Sequence, residues 1–208
     1  MGKFNTPPEA PHFMKDIPSM AQDYIDKIWD VQANGHCGFR TVAFALEHGQ
    51  DAFMEVQKEL YENVLAQSDF SLTQGFFHHL DTTARQIRVE HDGPCDIDHW
   101  MSMPTTGHIL VEVYDRPVFY FSHAWSQSFF HSSSGPNKNP PIFMALTVSR
   151  HFVALKMMDE TLFPAPQYEK NWEQLATPEA LKWRDKYARS FELTNQLKLE
   201  TGFRGITF

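Results

Sequence analysis

The chain has 208 residues, of which 42% are hydrophobic and 18 are Phe, and its formal net charge is −8. This length and hydrophobic fraction suit one domain with a sizeable core, alone or with an appendage. The acidic balance and the lack of a Lys/Arg block argue against a general nucleic-acid binder, so we expect no nucleic-acid partner.

Cysteine usage and hydropathy indicate the compartment. The two cysteines, Cys37 and Cys95, are too few for the disulfide framework of a small secreted protein. The N-terminal residues lack an apolar signal core, and no apolar run approaches the ~20 residues needed to cross a membrane. We therefore expect an intracellular protein of the reducing cytoplasm or nucleus, without a membrane partner.

The N-terminal part of the chain predicts an irregular arm followed by a helix. Residues 1–18 contain four prolines and are expected to form the arm. Ser19 is a suitable N-cap, and Met20, Tyr24, Ile25 and Ile28 recur at helical spacing after it. This pattern predicts a helix in which these four side chains form the apolar face.

The next segment places a cysteine at the expected start of a helix. Asn34 and Gly35 tolerate the left-handed backbone of a sharp turn, and the mostly apolar residues 41–48 predict a helix that stops at Gly49. Unpaired amides and the dipole at a helix N-terminus favour a thiolate over a thiol. Cys37 is therefore a candidate nucleophile that needs a base.

Helices and then strands are predicted along the middle of the chain. Apolar residues at helical spacing predict a helix over residues 50–67, and a short one is expected over residues 81–88. Residues 107–114, with Thr105 and Thr106 as possible N-caps, fit either a helix or a strand. A strand is predicted over residues 118–121, followed by a short edge strand over residues 126–132 and a loop to residue 141.

A β-hairpin is predicted around residue 150, and it presents a histidine. Two apolar runs, residues 142–148 and 152–157, flank the polar turn at Ser149 and Arg150. His151 then lies beside the turn, at the start of the second strand. A histidine at a strand end that faces a helix-start cysteine fits a Cys–His hydrolase, so His151 is the candidate base.

The C-terminal segment predicts one further helix. Thr177 is a suitable cap before Pro178, and Gly202 ends the pattern. The residues at helical spacing are Trp183, Tyr187, Phe191, Thr194 and Leu197. We expect an extension that braces the domain, dimerises or helps to hold a substrate.

Two of these segments resemble a known family. The run Asn-Gly-His-Cys-Gly-Phe-Arg from Asn34 to Arg40, and His-Phe-Val-Ala-Leu from His151, are similar to the nucleophile and base motifs of the ovarian-tumour (OTU) family of cysteine proteases. Gly38 after the cysteine, and Trp-Met-x-Met-Pro ending at Pro104, resemble the OTU-like domains of Mutator-type transposable elements. The resemblance covers roughly residues 20 to 160.

The resemblance implies a fold and an activity. The fold is an α/β (α+β) papain-like domain with a small, mainly antiparallel sheet flanked by helices, which favours the helix over residues 107–114. The activity is that of a cysteine-dependent deubiquitinase, which hydrolyses isopeptide bonds of ubiquitin or a ubiquitin-like modifier without a cofactor. Its partner is ubiquitin or polyubiquitin. We expect an N-terminal arm over residues 1–18, a catalytic domain over 19–160 and a C-terminal helical extension over 161–208.

The sequence leaves open which residue orients the imidazole of His151. Many family members carry Asp where Asn34 stands, and Asn or Asp where Val153 stands. An apolar Val cannot accept a hydrogen bond from the imidazole. Asn34 is our first candidate for the group that orients His151, and Asp30 is the second; a Cys–His dyad is a further possibility.

The alternative functions are a catalytically decayed module that binds ubiquitin or another protein, and a cysteine hydrolase or acyltransferase on a small substrate.

Other polar and aromatic residues have weaker functional interpretations. Cys95 lies in a polar loop with no partner pattern, and His36 is expected to pack beside the turn. No Cys-x-x-Cys pair or His-Glu-x-x-His helix occurs, so we expect no metal site despite the histidines between residues 78 and 99. Trp100, Trp125 and Trp172 could line a substrate groove, although core packing is the more common use of such residues.

Overall fold

The computed structural model describes residues 5–66, 80–88 and 91–201. Gln67, at the end of a predicted helix, lies outside the described residues, as do His78, His79 and Gly202.

The described helices follow one another in this order: α1 (Ser19–Gln22), α2 (Cys37–Ala45), α3 (Phe53–Ala66), α4 (Leu80–Ile87), α5 (Thr105–Tyr114), α6 (Lys170–Leu175), α7 (Lys182–Lys186) and α8 (Ala188–Glu200). Short 3-10 helices occur at Pro11–Asp16, Gln50–Ala52 and Ile97–His99. Each of these described helices is too short or too polar to cross a membrane.

The strands form one five-stranded sheet in the order β1-β5-β4-β2-β3. Their bounds are β1 (Ile25–Trp29), β2 (Val118–Ser122), β3 (Gln127–Phe129), β4 (Ile142–Leu146) and β5 (Phe152–Met157). Strands β2 and β4 are parallel, and the other neighbouring pairs are antiparallel. The predicted α/β class, with a small and mainly antiparallel sheet flanked by helices, is confirmed.

The sheet separates two hydrophobic cores because alternate residues of a strand point to opposite faces. On one face Phe119 and Phe143 stack at 5.2 Å and share a core with Tyr187 between α7 and α8. On the other face Tyr120 and Met144 pack with residues of α2, α3 and α5. The nucleophile helix α2 therefore lies on the second face, and the C-terminal helices lie on the first.

The helix predicted from Ser19 is wrong beyond Gln22, because the chain turns into strand β1. Ile25 opposes Met157 while Lys27 opposes Lys156, so one extra residue lies in β1 at this bulge. The bulge puts Ile25 and Ile28 on the same buried face although they are three residues apart. A strand with a bulge thus imitates the spacing of a helix.

Other predicted elements agree more closely with the structure. Residues 105–114 form a helix rather than a strand, and β3 is a shorter edge strand than predicted. Helix α2 ends at Ala45, before Gly49, and Glu47 takes the left-handed conformation with φ of 63°. The C-terminal helix is interrupted at Tyr187, but the Tyr187 amide still donates to Trp183 and the Phe191 amide to Tyr187. The helical spacing of the apolar face therefore survives.

Candidate active site

Cys37 is the first residue of α2, directly after the turn at Asn34, Gly35 and His36. Gly35 has φ of +91°, a conformation that a side chain rarely adopts, so the Asn-Gly signal correctly marked a sharp turn. The Cys37 side chain is half-buried, and the Phe152 amide donates to its Sγ at 3.5 Å. The sulfur therefore lies beside a backbone amide at the N-terminus of α2.

His151 lies at the tip of the β4–β5 hairpin, as predicted. The backbone amide of His151 donates to Thr147 Oγ1 at 3.1 Å, and the Thr147 amide donates to the His151 carbonyl at 2.9 Å. Arg150, immediately before it, has a left-handed φ of 61°. The buried Thr147 side chain therefore fixes the tight turn from which the imidazole projects.

The imidazole of His151 lies between a thiol and a carboxylate. Its Nε2 is 2.7 Å from Asp30 Oδ1, and the Cys37 sulfur accepts from the amide of the next residue, Phe152, at 3.5 Å. Burial lowers the pKa of His151, but the hydrogen bonds and charges of Cys37 and Asp30 outweigh this effect and raise the pKa above its usual value. The ring is therefore arranged to carry a proton beside the sulfur.

The preferred candidate for the orienting group was Asn34, and the structure instead brings Asp30 to the imidazole. Asp30 follows β1, which is antiparallel to β5, so the end of β1 meets the start of β5. The Asp30 amide also donates to the Pro8 carbonyl at 2.9 Å, so the N-terminal arm helps to hold it. The Asn34 side-chain oxygen accepts hydrogen bonds from Arg40 Nε at 3.2 Å and the His36 amide at 3.4 Å.

Val153, two residues after the histidine, is a core residue of strand β5. It is fully buried in the core shared with the C-terminal helices. Its apolar side chain therefore contributes to packing and cannot accept a hydrogen bond from the imidazole.

Arg40, the last residue of the nucleophile motif, links the turn to the segment before α3 through hydrogen bonds. In addition to Asn34, its guanidinium donates to the Gln50 carbonyl at 3.1 Å and to Asp51 Oδ1 at 3.2 Å. It also lies 4.0 Å over the Phe53 ring. This role of Arg40 does not follow from the motif; the available signal was a single charge inside an otherwise apolar helix, since a buried charge needs partners.

Cys95 has a partner, contrary to the prediction from the sequence. Its Sγ is 3.6 Å from Nδ1 of His36, whose ring is fully buried and makes a 2.9 Å hydrogen bond from Nε2 to the Gly93 carbonyl. Burial lowers the pKa of His36 and raises the pKa of the Cys95 thiol. Both shifts favour the neutral forms of this second Cys–His pair.

The three tryptophans have different environments. Trp172 is buried in the core, whereas Trp125 is partly exposed and packs against Tyr120 in a tilted arrangement, with ring centroids 4.7 Å apart. Trp100 is half-buried behind the nucleophile turn, with Nε1 donating to the Cys95 carbonyl at 3.4 Å. Within the described part of the chain, no group of three His, Cys, Asp or Glu side chains is arranged to hold a metal ion.

No family model matches the chain, and no curated protein matches it. Similar solved structures include the viral OTU domain protease from Dera Ghazi Khan virus, 13% identical with a TM-score of 0.47, where the match covers 67% of this chain and 85% of that chain. The OTUD1 OTU domain is 13% identical with a TM-score of 0.43, over 62% and 84% of the two chains. The Hazara virus OTU bound to ubiquitin is 15% identical with a TM-score of 0.41, over 69% and 88%.

Proposed function

We propose that the protein is a cysteine hydrolase that cleaves isopeptide bonds of ubiquitin or a ubiquitin-like modifier. The observation that carries the proposal is the arrangement around His151, whose Nε2 lies 2.7 Å from the Asp30 carboxylate while the amide of the next residue, Phe152, donates to Cys37 Sγ at 3.5 Å. The substrate class rests on the resemblance of the Cys37 and His151 motifs to OTU proteases, and the relation to Mutator-type domains is part of the same proposal. The proposed site of action is the cytoplasm or nucleus, where a thiol stays reduced.

Each residue has a defined role in the proposed reaction. The Cys37 thiolate attacks the carbonyl carbon of the modifier's terminal glycine, and the amides of the turn before α2 stabilise the resulting oxyanion. The His151 imidazolium donates its proton to the leaving lysine amine as the C–N bond breaks. Water then attacks the thioester with His151 as base, which releases the modifier and restores the thiol.

Asn34 has a supporting role in this proposal. Its side-chain oxygen accepts hydrogen bonds from Arg40 and from the His36 amide, so it holds the shape of the turn that carries the nucleophile. The carboxylate of an Asp at this position would accept the same hydrogen bonds. This explains why Asn can stand where the OTU motif usually has Asp.

The alternative is a catalytically decayed module that binds ubiquitin without cleaving it. Val153 and Asn34 were the observations that favoured it. Since Asp30 accepts the hydrogen bond that Val153 cannot, the contacts around His151 favour an active enzyme.

The test is hydrolysis of ubiquitin carrying a fluorogenic C-terminal amide, followed by a panel of linkage-defined ubiquitin chains. We expect wild-type protein to release the fluorophore and Cys37→Ala to be inactive, with Asp98→Ala at an exposed position of the short 3-10 helix Ile97–His99 as the control. Binding of ubiquitin without turnover would support the decayed module. Turnover of small thioesters but not of ubiquitin would support the small-substrate hydrolase.

A further inference from the structure

The three residues before the nucleophile all contact Cys95. The Cys95 amide donates to the Asn34 carbonyl at 3.1 Å, and its Sγ is 3.6 Å from His36 Nδ1. A Cβ added to Gly35 would lie 2.5 Å from the Cys95 carbonyl oxygen and 2.6 Å from its Sγ. Cys95 therefore supports the turn along its whole length, from a segment that is distant in sequence.

The direction of the hydrogen bond between Cys95 and His36 follows from the second ring nitrogen. Nε2 lies 2.9 Å from the Gly93 carbonyl, which can only accept, so Nε2 carries the proton. In a neutral ring Nδ1 is then the acceptor, and the Cys95 thiol must donate. The lowered pKa of His36 and the raised pKa of Cys95 both favour this neutral arrangement.

We propose that Cys95 is a positioning residue for catalysis, whose S–H donates to His36 and so fixes the Asn34–Cys37 turn that binds the oxyanion. This inference rests on the proposed function, because it concerns the same reaction. The thiol is a structural donor here and not a second nucleophile.

The contact geometry explains why a small change at Cys95 would lower the reaction rate. Gly35 leaves no space between the turn and Cys95, so the turn cannot move toward Cys95 without a clash. Trp100 Nε1 donates to the Cys95 carbonyl at 3.4 Å and would lie 3.0 Å from a Cβ added to Gly35, so Trp100 holds the Cys95 carbonyl against the turn. Donors for an oxyanion act only when they are correctly placed, and misplacement costs rate rather than substrate binding.

Three variants test the inference with the fluorogenic ubiquitin substrate. Cys95→Ala leaves His36 Nδ1 without its donor, and we expect kcat to fall about tenfold while KM stays within about twofold. Cys95→Ser keeps a donor and should recover most of the loss. Asp98→Ala, an exposed change three residues after Cys95 in the short 3-10 helix, is the control and should behave as wild type.

Two outcomes would overturn the inference while the wild type remains active. One is a kcat within twofold of wild type for Cys95→Ala, and the other is equal impairment of Cys95→Ser and Cys95→Ala. An independent measurement is the ¹⁵N spectrum of the histidine rings in the wild-type protein. We expect His36 to be the neutral Nε2–H tautomer between pH 6 and 8, because Nδ1 must be unprotonated to accept a hydrogen bond from the Cys95 thiol.

The spectrum separates the inference from the proposed function. A wild-type protein without ubiquitin hydrolase activity contradicts the proposed function whatever the tautomer is. A protonated Nδ1 of His36 in the wild-type spectrum contradicts the inference, even if the enzyme is active. This measurement also decides the matter if the Cys95→Ala variant fails to fold.

Discussion

Replacing the Asp30 carboxylate by an amide tests how His151 is held. Asp30→Asn keeps an oxygen that can accept from Nε2 but removes the charge 2.7 Å from the ring. A hydrogen bond to a charged group is worth about 1.5–3 kcal/mol, and the low end applies because 36% of the Asp30 side chain is exposed. We therefore expect kcat/KM for the fluorogenic ubiquitin substrate to fall roughly tenfold. Asp30→Ala, which also removes the acceptor, should lose more.

The pH profile of the same variant has a defined direction. The imidazolium that protonates the leaving amine exists below the pKa of His151, and activity is lost as the pH rises through that value. The Asp30 charge is one of the causes that raise this pKa. Removing the charge should therefore move the alkaline limb of kcat/KM to lower pH.

A matched carboxylate on strand β1 supplies the control. Asp26 forms an ion pair with Lys156, with 2.9 Å between Oδ2 and Nζ, and takes no part in the site. Asp26→Asn should therefore change neither kcat/KM nor the alkaline limb of the pH profile. The account of Asp30 is refuted if Asp30→Asn keeps kcat/KM within twofold and leaves the limb where it is in an active wild type.

Three further changes address other parts of the site and fold. His151→Ala should slow iodoacetamide labelling of Cys37 most strongly at mildly acidic pH, because the thiolate loses its cation; equal labelling rates at pH 6 would count against the pair. Asn34→Ala should reduce kcat by about 10²-fold because the turn loses its internal acceptor, whereas Asn34→Asp should be tolerated; equal effects of the two would show that the acceptor is irrelevant. Trp183→Ala should lower the free energy of unfolding, measured in urea, by about 3–5 kcal/mol because the ring is in the core and only 1% exposed. The control Glu192→Ala, at an exposed position, should lower it by less than about 0.5 kcal/mol. A Trp183 loss as small as that of Glu192 would mean that the C-terminal helices do not stabilise the sheet.

Local signals predicted the nucleophile and base segments well. The Asn-Gly turn, the helix after Cys37 and the hairpin around Ser149 each depend on residues within one short segment, which backbone preferences can indicate. Strand β1 could not be predicted in the same way. Its spacing of buried residues arises from a bulge that forms only when β1 pairs with β5.

Long-range contacts account for what the sequence analysis missed in the site. Asp30 and His151 are 121 residues apart, and only the antiparallel pairing of β1 with β5 brings the carboxylate to the ring. Cys95 and His36 are 59 residues apart and meet without a spacing pattern of any kind. Chemical reasoning could require an acceptor for the imidazole and name Asp30 as the second candidate, but only the pairing of β1 with β5 places Asp30 ahead of Asn34.

The most direct test of the central claim is labelling by ubiquitin that carries an electrophile at its C-terminus. The claim is that Cys37, paired with His151 and Asp30, is a nucleophile directed at a ubiquitin C-terminus. Wild-type protein should gain the mass of one ubiquitin, and peptide mapping should place the new bond on Cys37 and not on Cys95. His151→Ala should be labelled much more slowly. Absence of labelling in the folded wild-type protein, or labelling confined to Cys95, would contradict the claim.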